Sequence, residues 1–170
     1  MMSNEIVNKV EQSGLIQIDL AKFNPMCEII DLDLKKYLFN NLVLREKDFR
    51  KQLEEEDWTN FANKAVFIHC SEEVIMPSWA YMLIYTKLHN IATLAIKGNE
   101  IEIQKILIML EIDKLNFSDY KDKKVILKGC SKLPEAEFAL TYLTSKLQPF
   151  VSSLMFGEPC STVPIFKRKK

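Results

Sequence analysis

A chain of 170 residues, 48% apolar and 27% charged, has the composition of a soluble globular protein long enough to bury its own core. Its 23 Lys and Arg balance 23 Asp and Glu, which excludes a general nucleic-acid coat, and no stretch is apolar enough to span a bilayer. Residues 1–14, MMSNEIVNKVEQSG, lack the apolar centre of a secretion signal. The expected home is therefore the cytoplasm, where Cys27, Cys70, Cys130 and Cys160 stand as free thiols or ligands rather than disulfides.

In chain order, the first dozen residues read as a short helix or arm. Ile16, Ile18 and Leu20 alternate with Gln17 and Asp19, and Ile30, Leu32 and Leu34 alternate with Asp31 and Asp33. This period of two predicts strands, and the loop with Asn24 and Pro25 suggests that they form an antiparallel hairpin. Residues 44–57 predict a charged surface helix burying only Leu44, Phe49 and Leu53. Short apolar runs at 65–69, 91–96, 124–128 and 151–156 then alternate with helical segments at 77–89, 99–112 and 134–147. The expected fold is α/β, a mainly parallel sheet with the N-terminal hairpin as an antiparallel edge. Helix 99–112 carries two apolar stripes, Ile103, Ile106, Leu107 and Leu110 on one side and Ile101, Ile108 and Ile112 on the other. Burial between layers or a homodimer face would account for them.

Sliding the chain by 59 residues lays Trp58 on Phe117, Lys64 on Lys123, Val66 on Val125, Ala80 on Ala139, Lys87 on Lys146 and Gly98 on Gly157. Residues 57–98 and 116–157 thus read as a duplicated βαβ unit. The expected organisation is one domain, 1–170. It comprises the hairpin and surface helix (1–56), the two repeats, and a C-terminal loop and basic tail (158–170). The tail Lys167-Arg168-Lys169-Lys170 reads as a frayed terminus or a patch for an acidic partner.

Cys70, Cys130 and Cys160 each come after a predicted strand. In a parallel sheet those carboxyl ends form one rim, where open α/β sheets bind ligands. Cys70 and Cys130 also precede helices, whose N-termini favour the thiolate, and Ser71 and Ser131 are candidate caps. Three thiols with His69 would suit Zn²⁺ or an iron–sulfur cluster; a reactive thiol and plain packing are the alternatives. There is no C-x-x-C, no phosphate-binding glycine motif, no G-x-S-x-G and no arginine at phosphatase spacing after any cysteine. A Cys–His dyad would have to use His69. Asp19, Asp31 and Asp33 read as a solvated face or a hard-cation site.

The stretches LREKDFR (44–50), CSEEVIMPSWAYML (70–83), KGCSKLP (128–134) and GEPCSTVP (157–164) resemble a family of small bacterial cytosolic proteins grouped as domain of unknown function 2480. The resemblance runs over nearly the whole chain. It implies no activity, but it sets Cys70, Cys130 and Cys160 inside matching motifs and leaves Cys27 outside. Relatives encoded beside iron–sulfur assembly genes imply iron–sulfur assembly proteins as partners.

The resulting expectation is an accessory protein with a thiol-lined rim site that binds a soft metal or handles sulfur through Cys70, Cys130 and Cys160. His69 and Glu158 would assist, Ser71, Ser131 and Ser161 would support the loops, and Trp79 and Tyr81 would wall the crevice or pack in the core. The alternative is a non-catalytic interaction module with packed cysteines.

Overall fold

A computed structural model describes residues 14–169; the arm expected over the first dozen residues lies outside them. In chain order the described residues form β1 (Leu15–Asp19), β2 (Ile29–Asp33), α1 (Glu46–Glu55), β3 (Ala65–His69), α2 (Ser78–Leu88), β4 (Leu94–Lys97), α3 (Glu100–Asp113), β5 (Lys124–Lys128), α4 (Ala136–Leu147), β6 (Ser153–Glu158) and β7 (Ser161–Lys167). They make two compact units. The first takes in the described residues up to Pro25 and from Leu107 onward; the second is Met26–Ile106.

The class is the expected one, α/β with mainly parallel strands and an antiparallel pair at an edge. The strands divide into two sheets, ordered β1-β5-β6-β7 in the first unit and β2-β3-β4 in the second. The antiparallel pair is β6–β7. β1 and β2, expected to pair with each other, instead run parallel to β5 and β3 in different sheets. Alternation cannot tell a hairpin strand from a parallel edge strand, because both bury one face. Each of the two strands is closed by an aspartate. The carboxylates of Asp19 and Asp33 accept hydrogen bonds from the N–H of Ala21 and Lys35, and each starts a 3₁₀ turn that leads the chain away from its strand.

The two units share backbone geometry at a spacing of 59 residues. Ala65 pairs with Leu94 as Lys124 pairs with Ser153. Asn63 and Asp122 take left-handed φ of 59° and 58°, and their N–H groups donate to the carbonyls of Ile91 and Phe150. Thr93 N–H donates to Lys64 as Ser152 N–H donates to Lys123. The match continues into the helices, since Phe49 and Leu53 of α1 are buried and so are Ile108 and Ile112 of α3. Four residues separate the members of each pair, one helical turn, so each pair points one way into its core. In the second unit Phe49 and Leu53 join Leu32, Val66, Ile68, Ile84 and Leu88; in the first, Ile108 and Ile112 join Ile18, Val125, Leu127, Leu143 and Leu154. The stripes expected on α3 are therefore partly core, with Ile101 and Leu110 left half exposed.

β7 falls where a loop was expected, because Pro159 and Pro164 read as breakers. Pro164 is tolerated because β7 is an edge strand with a register shift, Leu154 facing Phe166 and Met155 facing Pro164. Nor does the basic tail simply fray. The Arg168 guanidinium donates to Asp122 and to the carbonyls of Pro149 and Phe150, at 2.7, 3.0 and 2.9 Å.

Candidate functional site

Each of the three motif cysteines does sit at the carboxyl end of a strand, but the strands belong to different sheets. Cys70 directly succeeds β3 in the second unit. Cys130 and Cys160 lie two residues beyond β5 and β6, neighbouring parallel strands of the first. Cys27 precedes β2, at its amino end.

On the first unit's rim the thiols differ in access. Cys130 is half-buried and packs against the core that includes Leu127 and Leu133. Cys160 is exposed. Glu158 pairs with Ser161 across the hairpin, which leaves Pro159 and Cys160 as its two-residue turn. The stiff GEPC stretch is thus a tight reversal, and the ring of Pro159 fixes one of its two turn φ angles. Gly157 is required there: its φ is +124°, and a Cβ would stand 2.5 Å from the carbonyl oxygen of Ser161. Lys128 at the end of β5 bonds Glu158 at the end of β6, 3.1 Å apart. That hydrogen bond, with the charges of Glu158 and Asp19, holds the ammonium above its ordinary pKa. Lys128 is therefore a fixed cation on this rim. Ser131 and Ser161 are exposed, and Ser161 begins β7.

On the second unit's rim His69 Nε2 meets Asp31 Oδ2 at 3.1 Å, and its ring lies against Phe67, two residues earlier on the same face. Cys70 packs on the other side, against the core containing Ile68. Consecutive strand residues point to opposite faces, so a Cys70–His69 dyad does not form. Ser71 N–H donates to Asp33 Oδ1 at 3.0 Å rather than capping α2, whose first residue, Ser78, lies well down the chain. Some burial works against the Asp33 carboxylate, yet hydrogen bonds from the Ser71 side chain and from the N–H of Lys35 and Ser71 outweigh it and depress its pKa. Neither Cys70 nor Cys130 lies in the first turn of a helix, because loops of several residues intervene. Burial raises the Tyr81 pKa, and Cys70 adds to the effect. Trp79 and Tyr81 both pack against the second core, with Trp79 5.9 Å from Phe49 between ring centres.

The donor set expected for Zn²⁺ or an iron–sulfur cluster does not assemble. Among the described residues no three His, Cys, Asp or Glu side chains come together so as to hold a metal ion. Asp19 and Asp33 are engaged in capping and Asp31 with His69.

Sequence reasoning missed two features. One is the pair of carboxylates that organise the strand ends, Asp33 tying β2 to Ser71 and Glu158 tying β6 to Lys128. The recurring acidic residue at a strand end was the available signal. The other is an apolar groove of about 350 Å³ in the first unit, lined by Leu127, Leu140, Thr141, Thr144, Phe156 and Ile165. On α2 the positions 59 residues before Thr141 and Thr144 hold the larger Met82 and Tyr85. The ring of Phe156 lies beside Gly129, before Cys130: a Cβ there would stand 3.5 Å from it.

Among the described residues no helix is long and apolar enough to cross a membrane. No curated protein and no solved structure matches the chain. The family described as "Protein of unknown function (DUF2480)" matches residues 4–168, and the chain belongs to that family.

Proposed function

We propose that this protein is a non-catalytic accessory that receives and hands on sulfur at thiols on the carboxyl rim of β5 and β6. One observation carries the reading: two cysteines far apart in sequence lie just past neighbouring parallel strands of one sheet, and one of them, Cys160, is exposed. The Cys160 thiolate attacks the terminal sulfur of a persulfide. A new S–S bond forms at Cys160, the donor's S–S bond breaks, and the donor leaves as a thiolate while the proton stays on the transferred sulfur. Lys128 and Glu158 form an ion pair on the same rim. Half-buried Cys130 is the second thiol of the site. Cys70, on the rim of the other sheet, is a separate thiol. Iron–sulfur assembly proteins are the partner class this chemistry fits, and the reducing cytoplasm is its compartment.

The test is to mix the protein with a low-molecular-weight persulfide and map the added sulfur by mass spectrometry. Sulfur is expected on Cys160, removable by reductant and absent after Cys160→Ser. Sulfur spread evenly over the four cysteines, as in urea-unfolded chain, would overturn the proposal.

The groove favours a second reading, an interaction module that takes up a partner's apolar side chain between α4 and the sheet, with the cysteines merely packed. Under it an apolar fluorophore binds the native protein and Thr144→Arg abolishes that binding. Equal binding to both proteins would count against it.

A further inference from the structure

The two units agree closely until their sheets reach an edge, and there they differ. In the first, the outer edge of β6 is covered by β7, paired antiparallel from Ser153 with Lys167 to Glu158 with Ser161. In the second, the equivalent strand is β4, and among the described residues no strand pairs with its outer edge. An uncovered edge presents free N–H and C=O groups and is a template for another strand.

We infer that β4 pairs with β4 of a second copy of this chain, joining two three-stranded sheets across a two-fold axis. A two-fold makes the same strand in two copies antiparallel, which is the orientation β7 adopts on β6. The sequence of β4 permits the self-pairing. Centred on Ala95, it sets Ala95 opposite itself, Leu94 opposite Ile96 and Lys97 opposite Thr93, so the strand's single charge does not meet its own kind. Among the described residues, two of the three other sheet edges disfavour such pairing. β2 centred on itself would oppose Asp31 to Asp31, and β7 carries Pro164 at an irregular register. A four-residue ladder alone is a small contact for a stable dimer. Helix α2, which packs on β4, carries Met82 and Tyr85 at 67% and 49% exposure and adds apolar area beside the strand. The contact is distinct from the half-exposed Ile101 and Leu110 of α3, and it is independent of the sulfur chemistry.

Sedimentation of the whole protein over a concentration series, with hydrogen exchange at its two ends, tests this. The expected result is a monomer–dimer equilibrium in which the amides of Leu94–Lys97 gain protection as the dimer forms. Ile96→Pro, which deletes one ladder donor, is expected to lose the dimer. A monomer at every concentration would overturn the inference. So would a dimer whose β4 amides exchange alike at both concentrations while those around Ile101 and Leu110 slow. The exchange experiment needs no substitution and stands even if Ile96→Pro fails to fold.

Discussion

Replacing Gly157 by alanine probes the hairpin that presents Cys160. Two costs add. The backbone there has φ +124°, a region in which a Cβ is strained by about 1–3 kcal/mol. The new Cβ also falls 2.5 Å from the Ser161 carbonyl oxygen, a backbone atom that can move only with β7. Such overpacking costs about 1–3 kcal/mol more. A loss of about 2–6 kcal/mol is therefore expected, set against a typical domain stability of about 5–15 kcal/mol. Gly129→Ala is the matched substitution on the neighbouring strand end. Its Cβ would make an ordinary 3.5 Å contact with Phe156, so the change should stay within about 0.5 kcal/mol. Both tryptophans, Trp58 and Trp79, belong to the second unit, so their fluorescence in urea reports that unit alone. Val125, Ile126 and Leu127 of β5 are buried in the first unit's core, so exchange of their amide hydrogens reports opening there. Gly157→Ala should speed that exchange by about 30-fold or more, since each 1.4 kcal/mol is tenfold. Gly129→Ala should leave it nearly unchanged. Equal exchange in Gly157→Ala and the parent would refute the reasoning, as would equal effects of the two substitutions.

Asp33→Ala should destabilise the second unit by about 1–2 kcal/mol at neutral pH, measured by urea denaturation monitored through tryptophan fluorescence. Because the Asp33 pKa is depressed on folding, its contribution is present above the unfolded value of about 3.8 and is lost as pH falls through the folded one. The variant should therefore show a shallower acid dependence. Tyr37 behaves oppositely. Burial, then its hydrogen bond to Glu56, raises its pKa, so the stability it contributes is full below pH 10.0 and declines above it. Tyr37→Phe should flatten that alkaline decline in denaturation curves. Arg168→Ala removes three hydrogen bonds and should cost the first unit about 1–3 kcal/mol, read as faster hydrogen exchange in β7.

Much of the fold was legible because apolar periodicity and burial coincide in β3, β5, α2 and α4. The pattern Phe49, Leu53 and its counterpart Ile108, Ile112 show the same agreement. The pairing of β1 and β2 was not legible. It depends on where the chain goes after Asp19 and Asp33, a choice made by capping hydrogen bonds and by non-local registry with β5 and β3. β7 was hidden by Pro164 within it and Pro159 in the turn before it, and a strand proline is tolerated at an edge. For the site, position along the strands was readable, and the cysteines do stand at carboxyl ends. Membership of one sheet or two was not, because each βαβ segment has the same local signature whichever sheet it joins. The placement of His69 and Cys70 on opposite faces is a consequence of strand alternation and was available from sequence alone. The groove was not, since it arises from Thr141 and Thr144 standing opposite Phe156 and Ile165.

The measurement that bears most directly on the account is transfer of radiolabelled sulfane sulfur, tracked in the parent, Cys160→Ser, Cys130→Ser and Cys70→Ser proteins. The rim reading predicts loss of label uptake in Cys160→Ser, impaired onward release in Cys130→Ser and no change in Cys70→Ser. Undiminished uptake and release by Cys160→Ser would contradict it.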